Sequence, residues 1–162
     1  GEGLYEGFDG VPAGSKPPGW FVLSTAVDAG WRVLGPLGTS GTQSLYGGNP
    51  DTLTLEDSGG AWSALATLPA FTVPADSLSA QLSFRLVQDT PGASFYVSIL
   101  DASQPLDCGP QSGPFLSCSL DLSAFKGGSV AVSLVIETAT GGAADGLGVF
   151  VDDLRVDWFC PF

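Results

Sequence analysis

The sequence contains no histidine and no methionine, a single asparagine, three cysteines, and only five Lys and Arg. Each shortage excludes something. Without histidine there is no Ser-His-Asp or Cys-His nucleophile system and no His-ligated metal. Five cations against 17 Asp and Glu leave a formal charge of −12 over 162 residues, which repels nucleic acid and anionic membrane surfaces alike. Asn49 precedes Pro50, so there is no N-glycosylation sequon. No stretch has the length and apolarity of a membrane-spanning helix, so no membrane insertion by this domain is expected. The chain opens at Gly1 without a basic, apolar leader, and any signal peptide or anchor is expected to have been removed. Helical periodicity is nearly absent too, because 23 Gly and 12 Pro interrupt almost every window long enough to carry it.

What is present reads as strands. An apolar fraction of 44% is too high for a disordered acidic tail, and the length fits one domain, 1–162 with a core from about 5 to 158. Leu53 and Leu55 alternate with threonines in DTLTLED, and Leu78, Ala80, Leu82, Phe84 and Leu86 alternate with polar partners in SLSAQLSFRLVQ. Phe95, Val97 and Ile99 line one face of ASFYVSIL, as do Val130, Val132, Leu134 and Ile136 in SVAVSLVIE. Half-buried alternation of this kind marks antiparallel strands with one face toward a core. Turn clusters such as YGGNPD, EDSGG, DTPG and FKGG separate the runs, and the pattern predicts an all-β, antiparallel two-sheet sandwich.

Cys108 and Cys118 flank a turn-rich stretch that can bring them together; two buried free thiols are the alternative. A disulfide there closes a short loop and stabilises by about 2.5–3 kcal/mol in the chain-entropy model. Cys160 is left over, either a packed thiol or a partner for something beyond this chain. In GLGVFVDDLRVDW, Val149 and Val151 share one face, and Leu154, Val156 and Trp158 share one face. A regular pleat sends these two sets to opposite sides. An extra residue at Asp152–Asp153 restores a single apolar face, which predicts a β-bulge; a strand buried on both faces is the alternative.

The opening GFDGVPAGSKPPGWFVLS, the middle ALATLPAFTVPADSLSAQLSF and the close LDLSAFKGGSVAVSLVIETATGGAADGLGVFVDDLRV together resemble the MAM-like jelly rolls of secreted bacterial proteins. The choice-of-anchor J and cleaved-adhesin domains are the named relatives, with MAM domains more distant, and the likeness covers most of residues 5–157. The cysteine pattern departs from that of MAM domains. The resemblance implies a jelly-roll sandwich serving as an accessory or adhesive module, extracellular or on the cell surface, within a larger protein or assembly. It also implies a structural calcium ion between the first and last strands. Asp9 matches the acid of the opening motif, and Asp152 and Asp153 match the paired acids of the closing one. A cation there relieves their mutual repulsion, with carbonyls completing its shell. Asp145 and Asp57 are weaker ligand candidates and read better as turn residues.

The carboxylates do not read as catalytic. A glycosidase needs two carboxyls facing each other across the substrate, about 5–5.5 Å or 6.5–9.5 Å apart, whereas sequence neighbours on a strand point to opposite faces. The chain is therefore not expected to be an enzyme. Trp20 and Trp31 read as core; Tyr46 and Trp62, beside Gly-rich loops, are the candidates to stack on a ligand. Arg85 and Arg155 are candidates for ion pairs. The leading reading is a non-catalytic binding or adhesion module for a glycan or a surface protein. The alternative is a purely structural domain of a surface appendage or secreted enzyme.

Overall fold

The structure is a computed structural model that describes residues 2–35, 43–109, 115–138 and 146–161. In chain order its strands are β1 (Glu2–Glu6), β2 (Phe21–Ser24), β3 (Gly30–Leu34), β4 (Ser44–Gly48), β5 (Ser63–Thr67), β6 (Phe71–Thr72) and β7 (Ser79–Asp89). They continue with β8 (Ala93–Ile99), β9 (Ala102–Gln104), β10 (Asp107–Cys108), β11 (Leu116–Asp121), β12 (Ser129–Val130), β13 (Val132–Thr138) and β14 (Gly148–Phe159). One turn of 3-10 helix, Ser123–Phe125, follows β11. The strands pair antiparallel in a seven-stranded sheet, β10-β11-β7-β14-β4-β3 with β1 also on β14, and a five-stranded sheet, β2-β5-β13-β8-β9. A short β12-β6 pair stands beside them. The two main sheets pack as an all-β sandwich, as the alternation predicts, and of jelly-roll type, as the resemblance implies.

The alternation also explains the core. Ala80, Leu82, Phe84 and Leu86 of β7 are buried against Val130, Val132, Leu134 and Ile136, with Trp20 and Trp31 enclosed among them. Leu78 falls just outside β7 and is exposed, while its N–H is donated to the Phe159 carbonyl at 2.7 Å. The run SVAVSLVIE breaks at Ala131, so Val130 pairs with β6 and Val132 onward with β5 and β8. DTLTLED is not a strand. Leu53 adopts a left-handed φ of 53° in a turn closed by the Leu53 N–H on the Asn49 carbonyl, leaving only a bridge between Asn49 and Thr54.

On β14 the predicted bulge is present. Asp152 stands opposite Arg85 and Arg155 opposite Ser83, so β14 spends one residue more than β7 across that interval. Val149, Val151, Leu154 and Val156 are all fully buried in one core cluster. At the same point the other edge of β14 changes partner, from β4 at Val149–Val151 to β1 at Leu154–Asp157. A second, smaller cluster of Tyr46, Phe115 and Phe150, with Leu34 and Val87 packed against it, involves residues of the larger sheet that the main core does not take in.

Gly47 of β4 sits where a Cβ would run into Ile136 Cδ1 and the Trp31 ring. Gly47→Ala is expected to lower unfolding free energy by about 1–3 kcal/mol through overpacking, measured by chemical denaturation. An unchanged stability would show that Trp31 can move aside.

Candidate functional site

The three acids expected to meet are placed apart in their roles. Asp9 lies in the turn after β1, exposed, with its Oδ1 accepting the Gln43 N–H at 3.1 Å. Asp152 is fully buried on β14 and its Oδ1 accepts the Asp153 N–H at 2.8 Å. Asp153, half-buried with a left-handed φ of 49°, accepts the Tyr5 hydroxyl at 3.3 Å. Among the described residues no three Asp, Glu or Cys side chains form a group that could hold a metal ion. Just before Asp9, Phe8 takes a left-handed φ of 64° and buries its ring edge-on to Trp20, 5.8 Å away. Asp145 lies outside the described residues.

Tyr46 and Trp62 are buried, not exposed at loop edges. The Tyr46 hydroxyl is donated to the Leu147 carbonyl at 2.6 Å, its ring lies 4.7 Å from Phe150, and burial pushes its pKa well above the usual phenol value. Trp62 Nε1 is donated to the Leu55 carbonyl at 2.9 Å. The flanking glycines mislead here. A Cβ at Gly48 or Gly148 would occupy the space of the Tyr46 ring or hydroxyl, so at Tyr46 the glycines make room for the ring inside the fold instead of exposing it. Neither side chain has a face open to a ligand.

A cleft of about 810 Å³ elsewhere does have open faces. Its floor comes from Ser79–Gln81 at the start of β7, Ser119–Asp121 at the end of β11, and Asp157–Phe159 at the end of β14; Ser123 and the β9–β10 connection, Gln104–Asp107, complete it. Asp157 pairs in register with Gln81, and Gln81 with Asp121, giving a carboxylate–amide–carboxylate row across three adjacent strands. Phe159 is 54% exposed. Trp158 is half-buried, and a Cβ on Gly3 would run into its ring, so Gly3 of β1 leaves the room that ring needs. Asp121 accepts the Ser123 N–H at 2.8 Å, and hydrogen bonds from Ser123 hold its carboxyl below the usual range. Arg155 Nε stands 4.0 Å from Asp157 Oδ2 and its guanidinium lies 5.3 Å from the Tyr5 ring centre. Arg85 Nε is buried without a hydrogen bond.

The rim is fastened covalently. Cys108 and Cys118 stand opposite each other in the β10–β11 register and form a disulfide, next to Asp107 of the cleft wall. Cys160 is a free, half-buried thiol. The sequence missed this cleft because its residues come from four separate segments, and only the odd pairing of an exposed Phe with a Trp in WFC marks it locally.

Asp57 is a structural staple. Its carboxylate accepts the N–H groups of Val27, Asp28, Ala29 and Gly59 at 2.6–3.0 Å. Burial raises its pKa, but the four donors together outweigh that and hold it below the usual value.

No family model matches the sequence, and no curated protein matches it. Solved structures with a similar fold include the following two. The K1 cleaved adhesin domain of Lys-gingipain from Porphyromonas gingivalis W83 superposes with a TM-score of 0.61 at 16% identity, covering 97% of this chain and 98% of that one. TmCBM61, solved in complex with beta-1,4-galactotriose, gives 0.57 at 12% identity, covering 94% of this chain and 99% of that one. The fold is that of adhesin and carbohydrate-binding sandwiches. At these identities the likeness is one of fold: it supports an adhesin-like sandwich, and the narrower family named from the sequence motifs is not shown by it.

Because the folded pKa of Asp57 lies below its unfolded value, its contribution is full above the ordinary carboxylate pKa and is lost as pH falls through the folded one. Asp57→Ala should lower the thermal midpoint at neutral pH and flatten its decline on acidification through that window. A midpoint equal to that of the unmodified protein at neutral pH would deny the staple.

Proposed function

We propose that this chain is a non-catalytic binding module of an extracellular protein and that it takes a glycan in the cleft at the ends of β7, β11 and β14. The observation that carries this reading is the in-register row Asp157–Gln81–Asp121 set beside the exposed Phe159. Carboxylates accept and amides both donate and accept, which suits sugar hydroxyls, while an aromatic face covers the apolar side of a pyranose ring. Asp157 and Asp121 share one floor, so a bound sugar would meet both from the same side. Glycoside hydrolysis needs carboxyls on opposite sides of the scissile bond. The disulfide fits an oxidising, exported setting, and among the described residues no helix is long and apolar enough to cross a membrane.

A surface protein as partner is favoured by a different feature, Phe21 and Leu23 of edge strand β2, exposed at 58% and 54%. Calcium, expected from the sequence resemblance, enters this reading only as an ion held by fewer than three of the expected acids with carbonyls completing its shell. A melt in calcium and again in excess chelator tests it: a midpoint several degrees higher in calcium is expected, and an unchanged midpoint would count heavily against the ion.

Phe159 is exposed and lines the cleft, so Phe159→Ala should leave the melt unchanged and weaken glycan binding roughly tenfold in calorimetry against hits from a glycan array. Gln81→Ala, which removes the amide at the centre of the row, should weaken the same hits. Full binding in both variants would move the site elsewhere, and no hit in the array or in pull-downs would leave the purely structural role.

A further inference from the structure

We propose that the glycan preferred by this cleft carries free amines: a cationic amino-sugar chain in place of a neutral or an anionic one. The inference rests on the glycan reading above and adds the chemistry of the sugar. Every formal charge in the cleft lining is a carboxylate, namely Asp107, Asp121 and Asp157, and the rest of its polar lining is amide and hydroxyl, as in Gln81, Gln104 and Ser119. The nearest cations stand outside the lining. Arg155 reaches Asp157 from its side at 4.0 Å, and Lys126 donates its Nζ to the Leu78 carbonyl at 3.4 Å while acting on Asp121 through its charge.

A uronate or a sulfated sugar entering this cleft meets acceptors of its own sign, within a domain that already carries −12. Like charges brought together across an interface are costly, and the long-range field turns such a ligand away before contact. A neutral sugar finds hydrogen bonds but adds no charge to the partial, exposed pairing that Arg155 and Lys126 provide. An ammonium gains charge-assisted hydrogen bonds, which are shorter and stronger than neutral ones.

The spacing adds a second constraint. Asp157 and Asp121 lie on strands separated only by β7, in one register row, so their backbones are about 10 Å apart at ordinary strand spacing. That distance is close to the disaccharide repeat of an extended β-linked chain, in which alternate rings present the same substituent to the same side. Two amines of such a chain can therefore reach the two carboxylates, with Gln81 beneath the ring between them.

The test is calorimetric titration of the whole domain with three oligosaccharides of equal length: glucosamine, N-acetylglucosamine and galacturonate, at a pH where the amine is protonated. The glucosamine oligomer is expected to bind about tenfold more tightly than its N-acetylated form, the gain available from two partly exposed ion pairs, and the galacturonate oligomer not measurably. Added salt should narrow that ratio. In Asp121→Asn and Asp157→Asn the ratio should collapse toward one, whereas Asp51→Asn, in the turn after β4, should keep it. Equal or tighter binding of the N-acetylated oligomer overturns the amine preference and leaves the glycan reading standing. A preference that survives in both cleft variants shows adsorption of a polycation elsewhere on the acidic surface and also overturns it. Failure of every sugar, neutral ones from the array included, removes the glycan reading and this inference together.

Discussion

Strand β14 carries more of this fold than any other element, and it depends on one inserted residue. Along its length it pairs with β7, and both strands must keep the same side toward the core. Val149 and Val151 reach that core before Asp152, and Leu154 and Val156 reach it afterwards. Because side chains alternate with a period of two, the odd step between these sets is possible only if one residue drops out of the pairing count. The left-handed Asp153 makes that step. The cost is a buried carboxylate at Asp152, turned onto the Asp153 N–H. The same step determines what lies at the end of the strand: without it Asp157 and Phe159 would face the core and Trp158 would turn outward. Core and cleft are thus set by one parity.

Much of this was legible in the sequence. Sustained alternation in β7, β8 and β13 carries its own evidence, since a half-buried strand leaves a period of two over its whole length. The bulge was legible for the same reason, as a fault in that period. The pairing of Cys108 with Cys118 followed from the turn residues between them. Trp20 and Trp31 were read as core and are. The failures share a cause. DTLTLED alternates as a strand does, but the turn closed by Asn49 overrides it. Tyr46 and Trp62 were placed by their glycine neighbours, and glycine does not say whether the space it opens faces inward or outward. The cleft combines segments separated by many tens of residues, which only the sheet order brings together.

The abundance of acid has more than one meaning in the folded chain. Asp57 gathers four N–H groups and fixes the loop ahead of β3. Asp121 holds the turn after β11 through Ser123. In these places a carboxylate substitutes for backbone pairing that the loops themselves cannot supply. Asp107 and Asp157 do no comparable work for the backbone, and they stand in the cleft wall.

The antiparallel pairing of β1 with β14 places Glu2 opposite Asp157, so the two ends of the described chain emerge side by side. Tension applied between them loads that ladder at its terminal hydrogen bond and peels the bonds singly, like a zipper, where strands leaving from opposite ends would share the load in shear. The first bonds to open border Asp157 and the Trp158 ring. A pull on the ends therefore frees β1 from the edge of β14 before it reaches the β7–β14 pairing that holds the core.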